Sequence, residues 1–559
     1  MYGFTIHIDL KLNAVSNFLL KNQKNITFEN FSFNYFGFKK FENDKVFSEN
    51  KEYIIGIDGV VLNLVQLKNA YGISDYFNLI ISLYSKHNIQ FVSELKGEFS
   101  GFIFDKKTKQ LLFFNNKTAT KQVFYSSFEK SIIISPTIEN IINLKERNNL
   151  KSTLNVTAVY TLLSFGAMIE NDTLVNGIFK LNAGEYLEIE HSYKLKNYHT
   201  FNNIAYTINN KKQAIDGLNE LFLNALTLEY QKDIEYNYQH LATLSGGLDS
   251  RMTVMIADAL GFKNDTFCFS QTGYLDETIA NEIAKKLALN HTFIPLNGGD
   301  YLMNLTRMIQ VTNSLQAFTA AAHYDFSVKK LNLANYGLMH TGQIGDAILG
   351  GYISKNSEYL SKKESTKFLN KTNTKSAVLK YKNEEVFKLY QRAFNLINVG
   401  SYITESHKTY LTSPFLDDEI IEFSLAIDPK LKVNQNIYLE WITKYHPEIA
   451  KYKWERTGFK PNKIWKTSLS RYTKKLIKEF YKLTNQSEKF TMTPTDFWFK
   501  NNSKLRAFYS DYFKNNSYLI AKNRELTKDF NFLFNEGNNT EKSVVLTVLE
   551  TIKKYKLEV

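Results

Sequence analysis

The first ~200 residues alternate short apolar runs with polar breaks, the pattern of a strand-rich segment. Tyr53–Leu62 is an apolar run carrying a turn-like Asp58-Gly59. Phe99–Asp105 and Gln110–Phe114 flank the polar stretch Lys106-Lys107-Thr108-Lys109, which predicts a hairpin. Ser131–Ser135 and Gly184–Glu190 predict further strands. From ~210 the period changes. Helix-period segments alternate with short apolar strands at Leu241–Leu244, Thr266–Phe269 and Leu338–Thr341. That rhythm predicts α/β organisation around a parallel sheet.

At one junction the pattern carries chemistry. The apolar run Tyr238–Leu244 leads into Ser245-Gly246-Gly247-Leu248-Asp249-Ser250, and a helix-period segment, Met252–Leu260, follows. Glycines let backbone N–H groups approach an oxyanion, and the positive end of a helix dipole faces the same point. The two serines add hydroxyl donors. A carboxylate beside a phosphate needs a cation between them, so Asp249 predicts a Mg²⁺ ligand at a pyrophosphate site. No Gly-Lys-Ser/Thr follows, so this is not the common phosphate-binding loop. A loop that grips pyrophosphate suits transfer of AMP to a substrate with loss of PPi. The six-residue string matches the signature of the PP-loop ATP pyrophosphatases.

Length and composition bound the rest. The 559 residues allow two or more domains, and 43% hydrophobic content suffices for ordinary cores. A single cysteine, Cys268, excludes a disulfide framework and a cysteine-rich zinc site, and suits a reducing cytoplasm. The segment Met1–Leu10 has no signal-peptide pattern, and no run approaches the ~18 to 20 apolar residues of a membrane span. The expectation is a cytoplasmic protein with no membrane or nucleic-acid partner. The formal charge of +13 would otherwise suit an anionic partner. The excess of Lys, Asn, Ile, Phe and Tyr favours compositional drift instead, and the basic residues beyond Lys466, as in Arg471–Lys482, alternate with apolar ones as on a solvated helix face.

Five motifs carry a resemblance. Leu95-Lys96-Gly97-Glu98-Phe99-Ser100-Gly101-Phe102-Ile103-Phe104-Asp105, Gly177–Gly184, the Ser245–Ser250 loop, Thr341–Tyr352 and Ser413-Pro414-Phe415-Leu416-Asp417 stand in the order found in the asparagine synthetase superfamily, which the chain resembles from residue 1 to about 465. The resemblance implies an αββα sandwich of the N-terminal nucleophile (class II amidotransferase) type, an α+β domain over 1–205. It implies an α/β PP-loop adenylating domain over 210–470, with a helical extension over 471–559. It implies that Leu244, Ser245, Gly246, Gly247, Asp249 and Ser250 bind ATP, with Phe269, in a Thr266–Ser270 segment bordering the adenine, and Gly342. Asp249 and Asp346 would hold Mg²⁺, and Asp276 falls where the family has an aspartate after the second strand.

The chain departs from the family at several positions. The family's glutaminases begin Met-Cys-Gly, whereas this chain begins Met1-Tyr2-Gly3. A phenol with a pKa of about 10 cannot replace a thiolate nucleophile. No Arg-Gly-Pro-Asp segment lies between Phe31 and Asn50, and the Asn-Gly-Glu turn reads Asp58-Gly59-Val60, placing a carboxylate where an oxyanion would form. The expectation is that glutamine is not hydrolysed. In the second half, Gln343 and Ala347 replace two glutamates, as in the β-lactam synthetase branch, which also lacks the cysteine. Lasso-peptide cyclases likewise use an amine nucleophile. Arg456 occupies the family's catalytic lysine position, with Lys453 and Lys460 beside it. Arg456, Gln343 and Lys460 are therefore the candidate catalytic residues, and Glu384 and Glu385 fall outside the expected site.

Three readings follow. The first is an ATP-dependent synthetase joining a carboxylate to a substrate amine, giving an amide, lactam or macrolactam. The second is an ammonia-fed amidotransferase for a sugar or polysaccharide uronic acid. The third is a degenerate nucleotide-binding scaffold. The first leaves room for a small-molecule or peptide substrate, an accessory biosynthetic protein and a homodimer.

Overall fold

The computed structural model describes residues 2–9, 24–129, 131–202, 205–353, 367–372, 374–381, 383–461 and 491–559. The basic stretch Arg471–Lys482 lies outside the described residues. The N-terminal strands are β1 (Gly3–Asp9), β2 (Lys24–Phe28), β3 (Phe31–Phe36), β4 (Val46–Glu49), β5 (Tyr53–Val61), β6 (Gly97–Asp105), β7 (Gln110–Asn115), β8 (Phe124–Phe128), β9 (Ser131–Ser135), β10 (Ile178–Lys180), β11 (Glu185–Ile189) and β12 (Tyr193–Asn197). They form two six-stranded sheets, in the orders β10-β8-β9-β1-β3-β2 and β12-β11-β7-β6-β5-β4.

Side-chain alternation along each strand builds the four layers. On β5, Ile54 joins Phe4, Phe33, Phe102 and Phe104 between the sheets, while Ile55 and Ile57 pack with Leu79, Ile80 and Leu83 of the helix Tyr76–His87. On the far side, the helices Ile138–Arg147 and Val156–Phe165 cover Phe124 and Ile133. Each fully buried Ile or Phe contributes about 1.5–3 kcal/mol. The result is the expected αββα sandwich.

The expected turn at Asp58-Gly59 is overturned. β5 runs unbroken, with Asp58 opposite Ser100 and Gly59 opposite Phe99. Gly59 adopts φ +138° inside the ladder, and a Cβ there would lie 2.1 Å from the Glu98 carbonyl oxygen. Close approach of the neighbouring strand, not chain reversal, is what requires glycine.

The second half holds β13 (Gln239–Thr243), β14 (Asn264–Ser270), β15 (His291–Pro295), β16 (Tyr336–His340) and β17 (Leu411–Thr412), all parallel in the order β15-β14-β13-β16-β17. The chain leaves β13 toward β14 on one side and returns to β16 on the other. The crevice beyond the carboxyl ends of β13 and β16 is therefore the switch point where such sheets bind ligands. The described part of the C-terminal extension is helical. Its last helix, Asn539–Tyr555, opens with a capping box of Asn538 and Glu541 and packs Val545, Leu549 and Ile552 into a core shared with Val159 and Ile309. Among the described residues, no helix is long and apolar enough to cross a membrane.

A buried ion cluster ties β13 and β16 to the helix Lys211–Glu235. The Asp233 Oδ2 atom lies 2.9 Å from His240 Nδ1 and 2.8 Å from His340 Nε2. A tetrahedral shell with bonds of about 2.0–2.1 Å sets ligand atoms roughly 3.3 Å apart. These contacts are hydrogen bonds, not a metal shell. His340 also stacks on Tyr230 at 3.9 Å and lies 3.6 Å from Glu229. Burial alone would push its imidazole down, but Asp233 and Glu229 outweigh burial and push it up to about 9. The raised value makes this contribution complete below about 6.5, the unfolded value, and lost as pH rises through about 9. We expect the stability advantage of the unmodified protein over His340→Asn to shrink by on the order of a few kcal/mol across that window. Denaturant titrations of both proteins from pH 6.5 to 9.5 check this, and a constant difference would refute it.

Candidate active site

The Ser245–Ser250 loop closes on itself before it meets any ligand. Ser250 Oγ accepts from Ser245 N at 3.0 Å and lies 2.9 Å from Ser245 Oγ, which accepts from Gly247 N at 3.1 Å. Gly246 N donates to Asp276 Oδ1 at 2.8 Å. The helix begins at Leu248, four residues before the Met252 expected from periodicity, because Gly247 ends the loop. No side chain caps its N-terminus. Its first-turn N–H groups therefore stay available to an anion.

Arg251 locks the loop to a distant segment. It is fully buried and donates to the carbonyls of both Gly246 and Lys453, while Glu455 N donates to the Gly246 carbonyl at 3.0 Å. Burial lowers its guanidinium to about 10, still charged at neutral pH. The Lys453–Arg456 segment is thereby held against the Ser245–Ser250 loop. Arg456 lies 5.7 Å from the Trp454 ring, donates to Gln435 Oε1 at 2.7 Å and stands 3.8 Å from Asp346 Oδ2.

Thr341–Asp346 packs directly on the start of the same helix. A Cβ on Gly342 would lie 2.3 Å from the Asp249 backbone carbon, so only glycine allows this approach. Ile344, where the family pattern has glycine, is held at φ +61°. A β-branched residue there is strained by about 1–3 kcal/mol. Burial of its side chain offsets the strain, since Ile344 is only 3% exposed. The turn brings the two carboxylates together: Asp346 N donates to Asp249 Oδ2 at 2.9 Å, and Tyr438 donates to Oδ1 at 2.8 Å. Burial, then the neighbouring Asp346, pushes Asp249 up to about 8, while the Asp346 side chain is 53% exposed. Two crowded carboxylates are a donor set that a hard divalent cation relieves.

These residues wall a cavity of about 640 Å³. Leu244, Ser245, Gly247, Asp249, Ser250, Phe269, Gly342, Gln343, Asp346 and Arg456 line it. Gly246 supports the loop from behind and is not a lining residue. Lys460 is exposed and stands outside the wall, as does the exposed Lys453. Glu384 and Glu385 are buried, paired with Lys388 and Lys432, away from the cavity. Sequence reading missed Gln316, His323, Tyr324, Gln435 and Tyr438 in the lining, which belong to no motif and are gathered only by the fold; Trp454 and Glu455 also line it, beside Arg456 in the matched segment but given no role there.

The N-terminal domain presents a different surface. Tyr2 stacks on Phe36 at 5.1 Å and meets Phe38 edge-on at 4.8 Å, in a groove that Asp58 does not line. Asp58 is fully buried, bonded to Tyr35 at 2.9 Å and to Lys121 at 2.6 Å. Burial alone would raise its carboxyl; Lys121 and Lys45 outweigh burial and hold it below the usual range. The expectation that Asp58 offers a bare negative charge to an oxyanion is thus corrected: its charge is balanced by an ion pair.

Residues 37–199 match the family described as glutamine amidotransferase domain, and residues 237–402 match asparagine synthase. These two domains place the chain in the asparagine synthetase superfamily. A Methanocaldococcus jannaschii protein named as a glutamine-hydrolyzing asparagine synthetase is 24% identical over 383 residues, covering 64% of this chain and 72% of its own. A Bacillus subtilis protein so named is 25% identical over 334 residues, 55% of this chain and 43% of that relative, less than half its length. One from Acanthamoeba polyphaga mimivirus is 24% identical over 424 residues, 71% and 70% of the two chains.

Within the superfamily frame, the raised Asp249 makes a test available. Asp249, with a folded value of about 8, is largely protonated at pH 7 and must lose its proton to hold a cation. We expect Mg·ATP binding at pH 7 to release protons, and Asp249→Ala to weaken that binding at least tenfold and abolish the release. Calorimetry in buffers of different ionisation enthalpy checks both, and equal affinity in the variant would count against the assignment.

Proposed function

We propose that this protein is an ATP-dependent amide synthetase that adenylates a substrate carboxylate, releases PPi and joins the acyl group to an amine of its substrate. The observation that carries the reading is the uncapped N-terminus of the helix Leu248–Ala259, with the Asp249–Asp346 pair and Arg456 beside it. A carboxylate oxygen bonds to the α-phosphorus of ATP as the bond to PPi breaks. The amine nitrogen then bonds to the acyl carbon, AMP leaves, and the amine loses a proton. Mg²⁺, held by Asp249 and Asp346, would neutralise phosphate charge. The first-turn N–H groups and the two serines would hold the departing pyrophosphate.

Arg456 supplies positive charge where the adenylate forms. It keeps that charge at any working pH and forks onto phosphate oxygens, but it is no general acid. Its contacts with Gln435 and the Trp454 ring pre-orient it.

Glutamine is not the nitrogen source in this reading. Tyr2 is packed among aromatic rings, and burial followed by Glu405 raises its phenol further. Asp58 is committed to Lys121. The finer assignment, to a lactam or macrolactam synthetase using a peptide or small molecule, rests on Gln343 and Ala347 replacing the family's two glutamates.

Two outcomes test the reading. Arg456→Ala should cut PPi-forming turnover about a hundredfold or more with folding intact, as measured by PPi release against the thermal unfolding midpoint. Near-normal turnover would remove Arg456 from the mechanism. Labelled glutamine should yield no glutamate with the unmodified protein or with Tyr2→Cys; glutamate from the unmodified protein would sink the amine-source assignment.

A further inference from the structure

The C-terminal segment reaches the cavity. Met492 is half-buried and lines it, although the match to asparagine synthase ends at residue 402. One residue holds it there with two bonds. Gln271, which follows β14, donates through its backbone N to the Met492 carbonyl at 3.1 Å and through Nε2 to the Thr491 carbonyl at 2.7 Å. Gln271 is itself buried.

The chain that follows is docked as firmly. The helix Thr495–Asn501 buries Trp498 against the turn after β15. There Gly298 and Gly299 take φ +78° and +74°, and a Cβ on Gly299 would lie 2.8 Å from the Trp498 ring. Glycine is what allows both the left-handed turn and the close approach of the indole. Tyr301 meets Trp498 edge-on at 5.9 Å. Asn502 Nδ2 donates to the Gly298 carbonyl at 2.8 Å and to Asp300 Oδ1 at 2.7 Å. Met492 is thus fixed between one anchor at the end of β14 and another beyond β15.

The wall around Met492 suits an uncharged ring. Phe267, Cys268 and Phe269, near the carboxyl end of β14, line the cavity with it. The His323 ring lies 5.5 Å from Phe269 and adds no charge, because burial pushes its imidazole down to about 4. Asp276 is turned to the Gly246 amide. Asp346 and its neighbour Arg456 stand after β16, on the other side of β13. A nucleotide with its phosphates at the Leu248 helix N-terminus would then point its base toward β14. We propose that Met492 covers that base, so that the C-terminal segment completes the nucleotide site. This rests on the adenylating reading of the site. A thioether is polarizable and packs favourably against an aromatic ring. Met492 is therefore a binding residue for the base and takes no part in holding the phosphates.

The test uses the full chain and calorimetric titration with two probes, Mg·AMPPNP and Mg·tripolyphosphate, the second keeping the phosphates and lacking the base. Met492→Ala should weaken Mg·AMPPNP binding about five- to tenfold, through loss of the thioether contact and its apolar cover. It should leave Mg·tripolyphosphate binding unchanged. Met492→Leu nearly conserves the volume and should keep most of the nucleotide affinity. Gln271→Leu removes the bond to the Thr491 carbonyl and should reproduce part of the loss, again for the nucleotide alone; it is the independent variant should Met492→Ala fail to fold. Unchanged Mg·AMPPNP affinity in Met492→Ala, or equal losses for the two probes, would overturn the proposal. If either probe fails to bind the unmodified protein, the adenylating reading falls and the proposal with it.

Discussion

A buried ammonium, Lys121, joins the two halves of the molecule. Lys121 is 2% exposed and lies between Asp58 of β5 and Glu405 of the helix Val399–Ser406. Burial alone would lower its pKa, and the two carboxylates outweigh burial and raise it. Glu405 is itself raised, by burial first and then by sharing one cation with Asp58. Breaking one partner of such a pair leaves an uncompensated buried charge, at a cost of about 3–5 kcal/mol. The segment carrying Lys121 is fastened further. Asn398 donates to the Thr118 carbonyl at 2.6 Å and Tyr402 to the Ala119 carbonyl at 3.2 Å. The helix held this way carries Gly400, where a Cβ would lie 2.4 Å from Gln343 Nε2. The helical segment before it, Leu389–Ile397, ends on the Ile397 carbonyl, to which that Nε2 donates at 3.2 Å. The amidotransferase-like domain thus positions Gln343 without contributing a residue to the cavity.

A second constraint acts inside the site. The parallel sheet brings the ends of β13 and β16 side by side, and the loops that follow must share one small space. Gly342 accommodates the Asp249 backbone, Ile344 accepts a left-handed conformation, and Asp249 and Asp346 are pressed together. Strain and carboxylate repulsion are both unfavourable before a ligand arrives. A cation between the two carboxylates would relieve their repulsion.

The architecture of both domains was legible in the chain. Ser131–Ser135 reads as a strand and is one, and the Phe99–Asp105 and Gln110–Phe114 pair forms its hairpin. The edge strand β17 was not legible, because two residues carry no period. Asp58-Gly59 was misread as a turn, since a glycine demanded by a neighbouring strand looks like a glycine demanded by chain reversal. In the site, the loop, the second acidic motif and Arg456 could be found because each is a contiguous string. Lys460 was drawn in by proximity along the chain to Arg456, and it is exposed and does not line the cavity.

The sequence by itself determined the alternation of elements, the anion-binding loop and the acids that accompany it, because these depend on local periodicity and short-range backbone geometry. Only the tertiary structure decided that Asp58 is neutralised by Lys121, that Arg251 clamps Lys453 to Gly246, and that Gln316 and Gln343 line one cavity, each with a buried side-chain atom left unpartnered. Those relations join positions from five to hundreds of residues apart through side-chain packing. Whether a polar group is satisfied, paired or orphaned follows from what the fold places beside it, and spacing along the chain carries no record of that.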